Sequence, residues 1–463
     1  MASIKSVGFD MDHTLARYHG VEFETLVFRE TLKKFIQAGY PEELSQLQFD
    51  PKFVIRGLLV DRERGNILKA DCHKYVKVAF HGHQKLAKEE RHRLYNAESF
   101  DPESFLSIDS FFALSEVQLF TEIVDFMRLH PKRIQKSFST VYGDLRQFID
   151  LSHRDGSIKK HVLADPGKYI INDKSIPEAL VRLLDGDKHL FLLTNSQYEY
   201  TDAILSYLLD QSHPGFSKWH DYFHHIIVGA GKPGFFTSNQ PFFEVLSENG
   251  LLKNHSGMLQ TDTCYQGGNA GLFQQLTKLK GDEILYCGDH MYVDIIRSKG
   301  LFNWRTLIVV EELEEAIDAQ HSISLLSPIY EKIREREIHE EDAQRVRSNL
   351  RSTRIHLASY EKRSDHKKVS ATKRSIETLE KKRRDKETLI TQLDEEIRTM
   401  INDYEGSIHK HWGGLFQVGL EKSRFAKQLE EYACLYTCRI SNLRFYSSSK
   451  RFISAHDKLP HDS

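Results

Sequence analysis

Four apolar runs, each stopping at polar residues that can do chemistry, constrain this chain more than any other feature. Ile4–Phe9 ends in Asp10-Met11-Asp12-His13-Thr14-Leu15, and His189–Leu193 ends in Thr194-Asn195-Ser196. His225–Val228 leads to Lys232, and Glu283–Cys287 ends in Gly288-Asp289-His290. Each run has the length of a buried strand, and Arg305–Val310 reads as another. Helical stretches such as 176–185 and 199–209 lie between several of them. Apolar strands alternating with helices imply an α/β fold whose parallel sheet is covered on both faces. Open sheets of this kind place their sites beyond the carboxyl ends of the strands, where these polar groups stand.

The polar groups at those ends form a coherent set. Asp10 and Asp12, two residues apart after a strand, would share one side of an extended chain, where like charges repel. A cation or an electrophile at that strand end accounts for the pair. Phosphoryl transfer through a covalent intermediate needs a nucleophile, a proton donor, a metal and positive charge around the phosphate. Asp10 can attack phosphorus; Asp12 can protonate the leaving oxygen and then deprotonate the attacking water. Thr194 and Asn195 can hydrogen-bond phosphoryl oxygens, and Lys232 can neutralise the phosphate and the Asp10 carboxylate. Asp10, Asp12 and Asp289 are the expected Mg²⁺ residues, because Mg²⁺ prefers oxygen ligands. Asp294 is expected to orient that shell rather than lead it. Taken singly, Thr-Asn after a strand is a helix cap and a lysine is a surface group. Their joint placement at strand ends gives the set its meaning.

At 463 residues the chain exceeds one core. The gap between the first run and 189–193 is far longer than a crossover, so it holds an insertion. The expected organisation is a catalytic core of 1–20 and 171–328, with a cap over 21–170 that excludes water and selects substrate. Within the cap, 53–61 and 65–69 read as hairpin strands and 104–140 as helical. Residues 329–405 lack Gly and Pro and carry apolar residues such as Ala343, Val346, Leu350, Ile390 and Leu393 at coiled-coil spacing. They predict a long antiparallel helical hairpin. Residues 331–403 hold 19 Lys and Arg against 16 Asp and Glu, which suits a solvated arm or oligomer contact rather than a nucleic-acid stripe. Residues 406–463 turn aromatic again and are expected to pack back on the core.

A net charge of −2 gives no bulk drive toward nucleic acid or an anionic membrane. No apolar run reaches transmembrane length, and an early strand followed by acids argues against a signal peptide. Five cysteines without a CxxC pair argue against a zinc site and fit a reducing cytoplasm.

With these motifs in order, the chain resembles the haloacid dehalogenase superfamily. The segments FDMDHTL (9–15), FLLTNSQYEYTD (191–202), GKPGFF (231–236), YQGGN (265–269) and ILYCGDHMYVDI (284–295) narrow the resemblance. Together with RGLLVD (56–61), GNILK (65–69) and the terminal AHDKLPHD (455–462), they resemble the cytosolic purine 5′-nucleotidase family over essentially the whole chain. The resemblance implies a haloacid dehalogenase-like Rossmannoid core, Mg²⁺, a cytoplasmic homo-oligomer (dimer or tetramer), and IMP and GMP as substrates. It also implies phosphoryl transfer to an acceptor nucleoside. It carries the family's base pocket onto Arg146, Asp150, His153 and Lys159, with Phe112 as the base-stacking ring. Asp109 and Ala113 stand where vertebrate-type members carry Asn. A carboxylate at 109 would repel phosphates near their effector site, so ATP activation of the vertebrate kind is not expected. Gln428 fits the family's effector-contacting Gln. Rival readings are a phosphatase of the same core for another small phosphorylated metabolite, and a helical-hairpin scaffold with a vestigial core.

Overall fold

A computed structural model describes residues 1–96, 100–246, 251–320 and 326–452. The terminal stretch 455–462 quoted above lies outside the described residues. The chain divides into two units: Met1–Glu314 with Leu415–Ser463, and Glu315–Gly414.

The larger unit is built on a nine-stranded sheet. Its central strand is Ser6–Phe9, flanked by parallel His189–Leu193 and Ile284–Gly288. Phe9 lies level with Leu192 on one side and Cys287 on the other. Asp10, Thr194 and Asp289 therefore leave the sheet within one residue of the same level. His225–Val228 and Cys264–Gly267 continue the parallel order outward, and Arg305–Val309 and Leu435–Thr437 continue it on the opposite side. Two antiparallel strands, Phe242–Leu246 and Leu251–Asn254, complete one edge. Leu435–Thr437 brings the segment after the hairpin into the sheet itself. The inner strands are buried along most of their length because both faces are covered. Gly8 shows how tightly: a side chain there would meet the Phe191 ring at 2.1 Å.

The insertion has two parts. An antiparallel sheet joins Gln84–Lys85, Val76–His81, Asn66–Ala70, Leu59–Asp61 and Leu106–Ser107 in that order. It covers its own small core, including Leu59, Leu68, Val76 and Tyr95. Only the last three residues of the expected 53–61 strand are extended. Within 104–140 the helices are Ala113–Leu129 and the start of Phe138–Arg154. The helix Gly20–Gln37 and the short helix Ser157–Ala164 share the core of the main sheet: Phe23, Val27, Ile158 and Val162 pack with Val7, Phe9 and Leu192. The helical part of the insertion is thus fused to the catalytic core rather than hinged from it.

The smaller unit holds two long helices, Ser327–Lys362 and His366–Ile408, reversed at 363–365. Ala343, Val346, Leu350, Ile390 and Leu393 are buried as the apolar spacing predicts. Arg354–Glu380, Arg336–Asp394 and Lys332–Glu396 tie the helices at 2.6–3.0 Å. No helix among the described residues is long and apolar enough to cross a membrane.

Candidate active site

The strand ends converge on a buried acidic centre. The Asp10 main-chain N–H donates to the Cys287 carbonyl at 2.8 Å, and Asp10 Oδ1 accepts from the Met11 N–H at 2.8 Å. Asp10 Oδ2 faces the Lys232 ammonium at 2.9 Å. Lys232 Nζ also donates to Asp294 Oδ1 at 2.8 Å and to the Tyr286 hydroxyl at 2.7 Å. That hydroxyl in turn donates to the Leu193 carbonyl at 2.9 Å. All three ammonium protons therefore have partners, and the lysine is fixed. Asp294 sits in a π-helical turn, Met291–Ile296. A side chain at Gly288 would meet its carboxylate at 2.5 Å, so glycine is what lets this acid reach the strand end.

Asp10, Asp289 and Asp294 each offer a carboxylate oxygen, and these atoms lie within 4.8 Å of one another. Asp289 Oδ2 is buried without a hydrogen-bond partner among the described residues. An orphaned buried carboxylate oxygen is costly, and three carboxylates form a donor set suited to a hard divalent cation. Burial pushes the Asp10 carboxyl well above its usual range. Lys232 opposes the rise, and Asp294, Asp289 and Asp12 add to it. Burial also lifts Asp289 to about 6, opposed by His13. For Lys232, burial works against the charge, but Asp10 and Asp294 outweigh it and hold the ammonium above its usual value.

Asp12 is placed differently from the sequence expectation. Its Oδ1 accepts from the Tyr18 hydroxyl at 2.5 Å and its Oδ2 from the Ser196 hydroxyl at 2.8 Å. Tyr18 is itself hydrogen-bonded to Tyr200 at 2.9 Å. The third carboxylate of the acidic cluster is Asp294, not the side chain of Asp12. The chain stops being extended after Phe9 and turns through His13 at φ +52°, so strand alternation does not carry beyond the sheet. Asn195 is also committed elsewhere. Its amide donates to the Lys232 carbonyl at 2.9 Å and accepts from the Lys232 N–H at 2.6 Å, clamping the lysine's main chain. Thr194 is buried, and its hydroxyl accepts from the Ser196 N–H at 3.0 Å.

The residues expected to read a base lie beside this loop. The Phe112 ring stands 4.7 Å from the His13 ring and 5.9 Å from His153, edge to face in both cases. Arg146 Nη2 pairs with Asp150 Oδ1 at 3.3 Å on one helix face, as i, i+4 spacing requires. Arg146 Nη1 donates to the buried Glu116 at 2.7 Å, and Glu116 also accepts from the Tyr142 hydroxyl. Lys159 Nζ lies 5.3 Å from the centre of the Tyr200 ring. Burial lowers His153 to about 4, with Asp12 opposing, so its ring is neutral at neutral pH. Asp109 accepts from the Ser107 hydroxyl, which accepts from Arg424 at 2.9 Å, and Arg424 donates to Gln428 at 3.4 Å. Asp109 and Gln428 thus belong to one network.

A model of the 5' nucleotidase family matches residues 1–463. The chain belongs to the 5' nucleotidase family. It is 26% identical over 471 residues to a 5'-nucleotidase domain-containing protein of Dictyostelium discoideum, covering all of this chain and 73% of that protein. It is 30% identical over 335 residues to 5'-nucleotidase domain-containing protein 2 of Homo sapiens, covering 68% of this chain. The chain spans 62% of that human protein's length. A solved structure described as a predicted phosphoglycolate phosphatase from Haemophilus somnus is 12% identical, with a TM-score of 0.29 over 67% of this chain and 87% of that one. That score is too low to support any argument. As a member of the 5' nucleotidase family, the chain is a phosphatase.

For this nucleotidase, the strand-end motifs leave out several side chains that the structure places at the site. Tyr286 carries a hydroxyl inside an apolar strand, which signals a buried partner. Arg56 interrupts the apolar run 53–60, an unusual place for a charge. It is fully buried, donates from Nη1 to the Asp289 carbonyl at 3.1 Å, and grips Glu312 with Nε and Nη2 at 2.8 and 2.6 Å. Its guanidinium covers the Phe111 ring at 4.1 Å. Ser196 and Glu116 carry no comparable signal, because their partners are 184 and 30 residues away, and Tyr18 carries none because only the turn after the first strand brings Asp12 to it.

Proposed function

We propose that this nucleotidase hydrolyses 6-oxopurine nucleoside 5′-monophosphates, IMP and GMP, through an aspartyl-phosphate on Asp10. One observation carries the substrate assignment: the Phe112 ring contacts both His13 in the catalytic loop and His153 on the Arg146–Asp150 helix. A nucleotide spanning from phosphate to base would meet these groups in succession. A 6-oxopurine edge presents an acceptor oxygen beside a donor N–H. Arg146 can donate to the first and Asp150 accept from the second; an adenine edge reverses that pattern. Neutral His153 and Lys159 complete the pocket, and a nearby Phe offers a stacking surface.

The chemistry follows from the strand ends. An Asp10 oxygen forms a bond to phosphorus as the ester oxygen leaves with a proton from Asp12. Asp12 then takes a proton from water, whose oxygen bonds phosphorus while the Asp10–phosphorus bond breaks. Each Asp12 oxygen accepts one hydroxyl proton and keeps a second lone pair for this traffic. Lys232 balances the charge on Asp10 and the phosphoryl group. Mg²⁺, held by Asp10, Asp289 and Asp294, would supply positive charge to the phosphoryl oxygens. An acceptor nucleoside can take the place of water if it enters after the first product leaves. A phosphate-release panel with Mg²⁺ tests the assignment. IMP and GMP should exceed AMP, p-nitrophenyl phosphate and a sugar phosphate by about tenfold or more in kcat/KM. Equal turnover across the panel would overturn it.

A further inference from the structure

A second group of metal-binding side chains involves none of the catalytic strand ends. It stands where the insertion meets the C-terminal segment. The strands Asn66–Ala70 and Val76–His81 are joined by a turn that carries Asp71, Cys72 and His73. Asp71 shapes this turn, because one of its carboxylate oxygens accepts from the His73 N–H at 2.8 Å and from the Tyr75 N–H at 2.9 Å. Lys74 reverses the chain at φ +70°. Main-chain contacts pin the turn to the small hairpin of Gln417–Val418 and Glu421–Lys422. Asp71 bridges to Ser423 in antiparallel fashion, and the Cys72 N–H donates to the Lys422 carbonyl at 2.9 Å. Cys72, His73 and Glu421 are thereby brought together. Their thiol sulfur, imidazole nitrogen and carboxylate oxygen lie within 4.8 Å of one another.

These side chains have little else to do. His73 Nε2 stands 3.6 Å from Glu421 Oε2, too far for a good hydrogen bond. Nitrogen and oxygen ligands about 2.1 Å from a tetrahedral ion are separated by about 3.4 Å, close to that gap. Among the described residues no lysine or arginine pairs with Glu421. The ammonium of Lys422, its neighbour, is taken by both oxygens of Glu430 at 2.8 Å. Cys72 is half-buried, whereas His73 and Glu421 are exposed. The group is therefore backed by protein on the thiol side and open to water on the other.

We propose that Cys72, His73 and Glu421 bind Zn²⁺, with water in the fourth position. The donor set decides the metal. A thiolate and an imidazole beside one carboxylate suit Zn²⁺ and are poor ligands for Mg²⁺, which prefers oxygen. The all-carboxylate centre at Asp10, Asp289 and Asp294 and this mixed centre thus select different ions within one chain. The lack of a CxxC pair argues against a site whose thiolates are close in sequence. This site uses a single thiolate and gains Glu421 through the fold. Its position gives the ion a structural role. Ser423 caps the helix Arg424–Tyr432, its hydroxyl accepting from the Ala426 N–H at 3.1 Å. That helix packs Phe425 and Leu429 against Met291 and Ile295 of the π-helical turn that carries Asp294. Zinc bound here fastens the insertion to the helix that supports this turn, and it stabilises only the folded chain.

Cobalt titration of the full chain tests the inference, in a reductant that binds no metal and with excess Mg²⁺ to fill the carboxylate centre. Co²⁺ serves as an optical stand-in for Zn²⁺. A thiolate-to-cobalt charge-transfer band should appear in the near ultraviolet and saturate at one thiolate-bound ion per chain, and Zn²⁺ should bleach it. The carboxylate centre has no sulfur and cannot give this band. Cys72→Ser should abolish it. His73→Ala and Glu421→Gln, whose side chains are exposed, should keep the circular dichroism spectrum and weaken cobalt binding by about tenfold or more. Zn²⁺ added over excess Mg²⁺ should raise the Tm of the unmodified chain and leave that of Cys72→Ser unchanged. The inference is overturned if no band appears, if the band survives in Cys72→Ser, or if both exposed variants bind cobalt as tightly as the unmodified chain. The exposed variants decide the matter alone if Cys72→Ser does not fold. None of these outcomes depends on which phosphomonoester is hydrolysed.

Discussion

Asp10 is held at both oxygens, one by the Met11 N–H and the other by Lys232. Asp10→Asn keeps that shape and removes the nucleophile. It should lower phosphate release by about 10⁴-fold or more, with the circular dichroism spectrum unchanged. Arg146 acts at the other end of the substrate. Arg146→Ala should raise KM for IMP by about tenfold or more and leave p-nitrophenyl phosphate turnover unchanged, since that ester has no purine edge. Asp289 gives a pH signature. Its pKa is lifted by burial to about 6, so without metal the folded state binds a proton that the unfolded state has released. Stability from this group is therefore present below the ordinary carboxylate range and lost as pH rises through about 6. A cation in contact with the carboxylates reverses that loss. The Mg²⁺-induced rise in Tm should be larger at about pH 7.5 than at about pH 5. It should vanish in Asp289→Asn; an equal rise at both pH values would contradict this account.

At the scale of elements, Arg56 joins the insertion to the loop that carries Asp289. It has no contact with the reacting atoms and acts through the Asp289 carbonyl and Glu312. Arg56→Met should raise the Mg²⁺ concentration for half-maximal activity by about tenfold, as expected for a partner one shell out. Leaving Glu312 without its partner should also cost about 3 kcal/mol in denaturant unfolding. The strand-end set was legible in the sequence because each member follows an apolar run within a few residues, and local order survives folding. Tyr18 and Glu116 were not legible because only the packed chain brings their partners close, and Arg56 showed only as a charge inside an apolar run, its partners Asp289 and Glu312 lying 233 and 256 residues away. Asp294 stands beside Asp10 and Asp289 because a π-helical turn carries its carboxylate back to Gly288. The two antiparallel strands Phe242–Leu246 and Leu251–Asn254 were not read from the sequence, since runs of five and four residues are too short to establish a period.

At the scale of the whole molecule, the two units rest on different cores. The sheet unit buries long continuous apolar clusters, including Phe191, Tyr286 and Trp304. The hairpin unit buries few side chains for its length, and its helices are polar around most of their circumference. Such helices gain most of their stability from a narrow seam and from ion pairs, so this unit should melt first. Leu350 is 4% exposed at the centre of that seam. Leu350→Ala should cost about 2–4 kcal/mol and lower the first transition in helical circular dichroism, while phosphate release measured below that transition stays unchanged. Transitions that move together with Leu350→Ala would show instead that hairpin and sheet unfold as one cooperative body.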